Sequence, residues 1–480
     1  LSENGVTIDG ADFKQQSNMM ERFSNRSNQV TLPKENQSEM FRRFVQSTFL
    51  DGDTPFRMRF GGGGQDNPNN PYSIFPNYYT FRNQVYSPDY QLFSIVLEKY
   101  LKSESDNSSN PFLRSIKGLT SAEEAVRQLD SISLKSVLQD TTYTKYLSDI
   151  IRLKGNYLFT SIEQEVDAAK LRKILADYAN ANKFTDTSLK SFVEYLIQNT
   201  GVDISSNLDE WYNSQYLPGY YITKLDYYKF LDSERERYQI KLDITNPTNA
   251  KGLVKLTFEP RRGGFGGFGF GPPPMMGQGD EELAAKIISI DSNQTKNINV
   301  VLDEAPGRMS FNTILSANLP LSQDFNFEEF TDRKNQSAIE GEFIKESIDP
   351  FIDEDEIIVD NEDAGFKVYN PEEQSFLKSL LNLEDDNEEY TGVRFWRPPS
   401  DWRKTINSDA FGKFIHSAHF TDSGDGSIKV AWEANIKTSG YYDVYCYVVK
   451  QRGGPFRRND NSDQKYYYSV SHDDGSDEVI

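Results

Sequence analysis

Near residue 221 the spacing of apolar residues changes, and the change splits the chain into two kinds of structure. Before it, in SLKSFVEYLIQNTG, Leu189, Phe192, Val193, Leu196 and Ile197 fall three and four apart, one face of an α-helix, and Gly201 supplies a stop. After it, in RYQIKLDITNPT, Tyr238, Ile240, Leu242 and Ile244 alternate, as in a strand with one face buried. A helical apolar stripe cannot be buried by a sheet register, nor the reverse, so the two stretches belong to different layers.

The helical signal extends over residues 86–222. SPDYQLFSIVLEKYLK sets Leu92, Ile95, Val96, Lys99 and Tyr100 at helical spacing. In LTSAEEAVRQLDS, Thr120 followed by Glu123 forms a capping box, in which each residue satisfies the other's free backbone donor. This region is expected to be an all-α bundle. GLVKLTFEP, AKIISI, KNINVVLDE and RMSFNTILSANLP then predict a β-sandwich over 223–325. Residues 1–85 are polar, Asn- and Gln-rich and loop-like, and their glycine run lacks the Lys-Ser/Thr of a phosphate loop. Residues 326–392, with DEDE at 353–356 and EDDNEEY at 384–390, read as a solvated acidic linker. Residues 393–480 resume short strands, among them GKFIHSAHFT, SIKVAWEANI, YYDVYCYVV and KYYYSVSHDDG, and predict a second, incomplete β domain. A length of 480 residues suits about three domains. The expected fold class is therefore multidomain α+β, an all-α bundle followed by one β-sandwich and part of a jelly-roll-like second. Both chain ends read as cuts in a longer polypeptide.

Charge and composition bound the partners. A net charge of −21 repels a phosphate backbone, so nucleic acid is not an expected partner. The stretch RRGGFGGFGFGPPPMMGQG, 261–279, carries a single Arg-Gly-Gly triplet between two strand patterns, and reads as a long strand-to-strand loop. Its Phe265, Phe268 and Phe270 could form an apolar contact tip. Cys446 is the only cysteine, so the chain holds no internal disulfide. No apolar run approaches the roughly 18 residues of a membrane span, and membrane association would come through segments outside this sequence.

Candidate chemistry is sparse. The three histidines are His416, His419 and His472, and no His-Glu-x-x-His is present. His416 and His419 are three apart in a strand pattern, which sends them to opposite sheet faces. HDDG at 472–475 reads as a hairpin turn, and DEDE lacks the alternating ligand spacing of a calcium loop. No metal ligands and no cofactor are expected within the sequence.

The helical region resembles the C-terminal half of the catalytic domain of M1-type (gluzincin) metallopeptidases, over about residues 86–222. The resemblance rests on RLKGNYLFTSIEQEV, similar to the family's Tyr-Glu-Lys-Gly segment and its following helix, and on FTDTSLKSFVEYLIQNTGVDISSNLDEWYNSQYLPGY. In that family the Tyr donates a hydrogen bond to the tetrahedral oxyanion. Here Arg152 stands at its position, with Leu153, Lys154 and Gly155 after it. The family's zinc helix aligns with YSIFP, 72–76, and its third ligand, a Glu, with Ile95. The resemblance thus implies the fold and a degenerate site at Arg152, Lys154, Gly155 and Ile95. Zinc enters only if its ligands lie upstream of Leu1.

The last region resembles the golvesin C-terminal-like domain, through RFWRPPSDW, FGKFIHSAHFT, GDGSIKVAWEANIKTSGYYDVYCYV and YYYSVSHDDGSDEVI. That family implies a jelly-roll-like sandwich with an accessory binding role. The combination resembles large Bacteroidetes-type envelope proteins in which an M1-like region follows a membrane permease. The expectation is a non-catalytic scaffold and binding region, extracytoplasmic, with a protein or a surface glycan as partner. Two rivals stand beside it: an active M1 aminopeptidase with upstream ligands, and an accessory glycan-binding protein. For the second, Trp396, Trp402 and Tyr442 would stack on sugars, against the plainer role of packing a core.

Overall fold

The structure, a computed structural model, describes residues 84–90, 92–102, 118–182, 185–261, 282–334, 336–346, 356–369, 389–392, 399–422, 428–449 and 466–479. It is mixed α+β, with more strand than helix and no closed barrel among the described residues. Two compact units divide it: Leu1–Ser108 with Ser133–Ser214, and Ser109–Ile132 with Gln215–Ile480. The described α-helices are α1 (Phe93–Lys102), α2 (Ser121–Gln128), α3 (Leu134–Val137), α4 (Leu147–Glu163), α5 (Ala168–Ala181), α6 (Leu189–Thr200) and α7 (Ser205–Asn213). All but α2 belong to the first unit.

In the first unit α1 lies on α4. Phe93, Val96 and Tyr100 are buried against the apolar face of α4, where Ile151, Leu158, Phe159 and Ile162 are also buried. Tyr100 stacks on Phe159 at 4.5 Å between centroids, and Phe93 meets Phe192 of α6 edge-on at 5.4 Å. The helix ends follow the sequence signals. The Ser188 hydroxyl accepts from the Ser191 N–H at 3.1 Å, and Gly201 closes α6 in the left-handed region at φ +79°.

The all-α bundle expected here is not what forms. Strands β1 (Gln84–Tyr86) and β2 (Asp186–Ser188) pair in parallel within the helical unit, Gln84 opposite Asp186 and Tyr86 opposite Ser188. Strands of three residues, the second running straight into the Ser188 N-cap, are too short to display a strand period, so the pattern hid them.

Helix α2 belongs to the second unit for a specific reason. Its capping box forms as expected, with the Thr120 N–H donating to Glu123 Oε2 at 2.9 Å. The buried Glu123 carboxylate also accepts from the Leu321 N–H at 3.3 Å, and Leu119 packs with Leu319, Tyr390 and Ile406.

The body of the second unit is two sheets over one core. Its strands are β3 (Tyr221–Asp232), β4 (Arg235–Asn246), β5 (Gly252–Pro260), β6 (Ala284–Ile290), β7 (Gln294–Leu302), β8 (Pro306–Asn312), β9 (Ser322–Asn326), β10 (Thr331–Asp332) and β11 (Gly341–Lys345). The sheet orders are β10-β3-β4-β7-β11 and β6-β5-β8-β9. Alternate residues from each side meet in one cluster: Ile240, Leu242 and Ile244 of β4 and Ile298 and Val300 of β7, with Val254, Leu256 and Phe258 of β5 and Phe311 of β8. Strands β5 and β6 pair with Phe258 opposite Ala284, so the Gly/Phe stretch joins two adjacent strands. Phe265, Phe268 and Phe270 themselves lie outside the described residues.

The segment read as an acidic linker contributes β10 and β11. Two phenylalanines inside the acidic run anchor it. Phe327 and Phe330 sit 4.9 Å and 5.2 Å from Tyr227, and Phe330 lies 5.1 Å from Tyr238. Charge counting weighted the carboxylates and missed these anchors.

The last strands are β12 (Phe366–Tyr369), β13 (Arg403–Ile406), β14 (Ser417–Phe420), β15 (Lys429–Trp432), β16 (Tyr468–His472) and β17 (Gly475–Val479). They form three separate two-stranded sheets, β12-β15, β13-β14 and β16-β17, and no second sandwich among the described residues. YYDVYCYVV, expected as a strand, carries none, and Tyr441 and Tyr445 are exposed. Its strand preference is a preference for packing against neighbours, and the described chain brings it no ladder partner.

Candidate functional site

The register that buries one phase of β4 and β7 sends the other phase outward. With Ile240, Leu242 and Ile244 in the core, Gln239, Lys241 and Asp243 face the opposite side of the five-stranded sheet. Cross-strand pairing sets Asn299 beside Lys241 and Asn297 beside Asp243, while Asp226 of β3 lies on the other side of Lys241. Of these, Asp226, Lys241, Asp243, Asn297 and Asn299 floor a cavity of about 380 Å³, with Lys224, Lys345 and the apolar Ile339 and Phe343 around it.

The wall of the cavity comes from topology. β10 lies against β3 and β11 against β7, at opposite edges of one sheet, so the chain joining them must cross the sheet face. Gln239 fastens this crossing strap. Its Nε2 donates to the Ile339 carbonyl at 2.8 Å, and its Oε1 accepts from the Ile339 N–H at 3.0 Å. Arg333 fixes the other end, donating to both Asp226 oxygens at 2.9 and 2.7 Å.

Inside the cavity the acceptors are already used. Asp243 is buried and accepts from Lys345 Nζ at 3.0 and 2.8 Å, and from the Asn297 amide. The Asn299 amide in turn donates to Asn297 Oδ1 at 2.6 Å. Lys241 instead lies over the Tyr228 ring at 5.3 Å, which the Arg333 guanidinium also faces at 4.3 Å. Neither Lys224 nor Lys241 is ion-paired to a carboxylate among the described residues. The sequence carried a trace of this arrangement: in KLD and NIN the polar residues occupy the phase that the core leaves out.

The RLKG segment, expected from the resemblance to hold a degenerate site, lies in the first unit, on α4, and its side chains make contacts within and between helices. Arg152 pairs with Asp149 one turn back at 2.8 Å. Lys154 is buried, and its Nζ donates to the Trp211 carbonyl of α7 at 3.1 Å; the Trp211 indole donates back to the Lys154 carbonyl at 2.8 Å. Burial lowers the Lys154 amine to about 8, with Glu210 opposing the shift. A Cβ on Gly155 would stand 3.1 Å from the Val96 carbonyl, so this glycine permits the close approach of α1. Ile95 is buried and apolar. The stretch expected to align with a zinc helix, 72–76, lies outside the described residues.

The aromatic and histidine candidates do not converge. Trp402 is half-buried, the Tyr442 hydroxyl donates to the Thr438 carbonyl at 2.6 Å, and Trp396 lies outside the described residues. His416 Nδ1 is 2.8 Å from the Ala410 carbonyl and so carries its proton there, while the His419 ring lies 4.6 Å from Phe366. Desolvation, reinforced by Lys404, lowers His419 to about 4. HDDG forms the β16–β17 turn, His472 opposite Gly475. Sequence reading missed a polar knot around Tyr390. Its hydroxyl donates to Glu362 at 3.2 Å, its ring is faced by Lys404 at 4.7 Å and Arg127 at 5.0 Å, and Ser417 and Lys404 also donate to Glu362.

No protein family matches the chain, and no curated protein does. Among solved structures it has a weak likeness to aminopeptidase A of Legionella pneumophila in complex with aspartic acid, with 14% identity and a TM-score of 0.25. That match covers 54% of this chain and 26% of the aminopeptidase, so the chain spans about a quarter of that protein's length. A β-glucosidase from Kluyveromyces marxianus matches at 13% identity over 33% of this chain and 21% of its own, with a TM-score of 0.15. At such scores neither likeness carries an argument about chemistry.

Proposed function

We propose that this chain is a non-catalytic, M1-peptidase-like scaffold and binding region of a larger extracytoplasmic envelope protein. The observation that carries the reading is the fate of the RLKG segment. An oxyanion donor needs a side chain held ready for a substrate. Here Arg152 is paired to Asp149, Lys154 is spent on the Trp211 carbonyl and Gly155 seats α1. Lys154 and Gly155 therefore support the packing of helices and Arg152 pairs within its own helix, which suits a fold kept for its shape. The resemblance to golvesin-like modules adds the accessory, surface-facing role.

The test measures zinc content and aminopeptidase turnover on the full-length protein that carries this chain, across peptidyl substrates with acidic, basic and apolar first residues. Sub-stoichiometric zinc and no turnover above background are expected. One zinc per chain with turnover would overturn the scaffold reading in favour of an active M1 enzyme.

A further inference from the structure

The cavity on the five-stranded sheet is a built pocket, with a floor, a wall and unspent hydrogen-bonding capacity, and that capacity specifies what it takes. Both carboxylates are neutralised, Asp243 by Lys345 and Asp226 by Arg333. Asn297 and Asn299 each spend one amide N–H in the relay that ends on Asp243, and each amide has a second. Lys224 and Lys241 bring ammonium groups with no carboxylate partner among the described residues. What remains is donor-rich and cationic, in a chain of net charge −21. The second amide N–H groups of half-buried Asn297 and buried Asn299, with the ammonium groups of exposed Lys224 and half-buried Lys241, are the donors left to meet a ligand's acceptors. On the rim, Phe343 is half-exposed and Ile339 is tied down by Gln239, giving the ligand's body an apolar surface. A volume of about 380 Å³ lies at the lower end of the range for small-molecule sites.

We propose that this pocket binds an oxyanion carried on a small molecule, with Lys224 and Lys241 as its charge partners and the Asn299–Asn297 relay as the oriented floor. Ammonium groups are point charges without the planar fork of a guanidinium, so they accept carboxylate and phosphate alike. The shared chemistry is the oxyanion, and the probes separate its two sources. The site deepens the binding part of the proposed function but rests on other residues, in the other unit, so zinc and peptidase assays leave it untouched.

Titration calorimetry of the whole chain with glucuronate, inorganic phosphate and neutral glucose tests it, repeated at low and high salt. Glucuronate or phosphate is expected to bind, glucose at least tenfold more weakly, with affinity falling as salt rises. Glucuronate binding without phosphate assigns a carboxylate; phosphate binding alone assigns a phosphoryl group. Lys241→Met, which keeps the stem over Tyr228, and Lys224→Glu, on an exposed side chain, are each expected to weaken binding tenfold or more. Because Lys224 is exposed, the second variant keeps the test valid should the first misfold. No heat with either anion up to about 10 mM, an affinity weaker than any specific small-ligand site, would overturn the proposal. So would binding unchanged in both variants.

Discussion

Lys154 and Trp211 exchange hydrogen bonds in both directions, amine to carbonyl at 3.1 Å and indole to carbonyl at 2.8 Å, across 57 residues of sequence. A buried ammonium is held there because the Trp211 carbonyl is one of the last acceptors of a helix, where backbone oxygens lack partners.

Burial of this amine makes the fold's stability depend on alkaline pH. Lys154 titrates near 10.5 when unfolded and near 8 when folded. Between those values the unfolded chain holds the extra proton, so stability rises with pH, by roughly 3 kcal/mol at about 1.4 kcal/mol per pH unit. Above 10 the sign reverses. Burial pushes the Tyr157 hydroxyl up to about 12, so the unfolded chain loses that proton first. Denaturant titrations from pH 7 to 11, followed by tryptophan fluorescence, should show a maximum near pH 10. In Lys154→Met the rise should vanish; a rise that persists would remove Lys154 as its source.

The strap should depend on Gln239. Gln239→Met keeps the length of the side chain but removes both hydrogen bonds to the Ile339 backbone. The expected cost is about 2 kcal/mol. Local exchange of the Ile339 amide should quicken far more than that of Ile298, buried in the core. Equal acceleration at both sites would mean that Gln239 supports the whole sheet rather than the strap.

Two glycines with the same backbone angle should respond differently to alanine. Gly118 and Gly201 have φ +81° and +79°, but a Cβ on Gly118 would stand 2.6 Å from the Tyr390 carbonyl, whereas none lies near Gly201. Gly201→Ala should cost on the order of 1 kcal/mol of left-handed strain, and Gly118→Ala roughly 3 kcal/mol. Equal losses in thermal or chemical denaturation would show that the loop around Tyr390 yields.

Asp360 offers a stabilising change. Desolvation, with Glu362 and Asp363 nearby, raises its carboxyl to about 6, against the Asn361 N–H that favours the charged form. A raised carboxyl favours the folded state only while protonated, so its contribution falls as pH rises from about 4 to 6. Asp360→Asn keeps the acceptor and loses the charge. At pH 7 it should gain on the order of 1 kcal/mol, after allowing for solvent screening at this half-exposed site. No difference from the parent at pH 7 would put Asp360 in water.

The helices and strands most visible in the sequence were those whose apolar period ran long enough to count. α6, from Leu189 to Thr200, and β4, with Ile240, Leu242 and Ile244 in phase, follow directly from spacing. The parallel pair β1-β2 did not, because its three-residue strands pair across 102 positions and show no period of their own. Membership of α2 in the second unit was equally silent. It turns on Glu123 reaching Leu321 and on Leu119 packing with Leu319, Tyr390 and Ile406, and a capping box looks the same wherever the helix docks. The cavity was half legible. Alternation shows which residues of KLD and NIN leave the core, but only the strand order brings Lys241, Asn299 and the strap together.

The placement of β10 and β11 also sets an order of completion during synthesis. β3, β4 and β7 are all made by residue 302, but both outer neighbours arrive only after residue 330. Until then the growing chain presents two open sheet edges and an unroofed lysine-bearing face, the surfaces on which nascent chains cross-pair. The acidic stretch beyond β11, with DEDE at 353–356, emerges next, and its like charges repel neighbouring copies while the edges close.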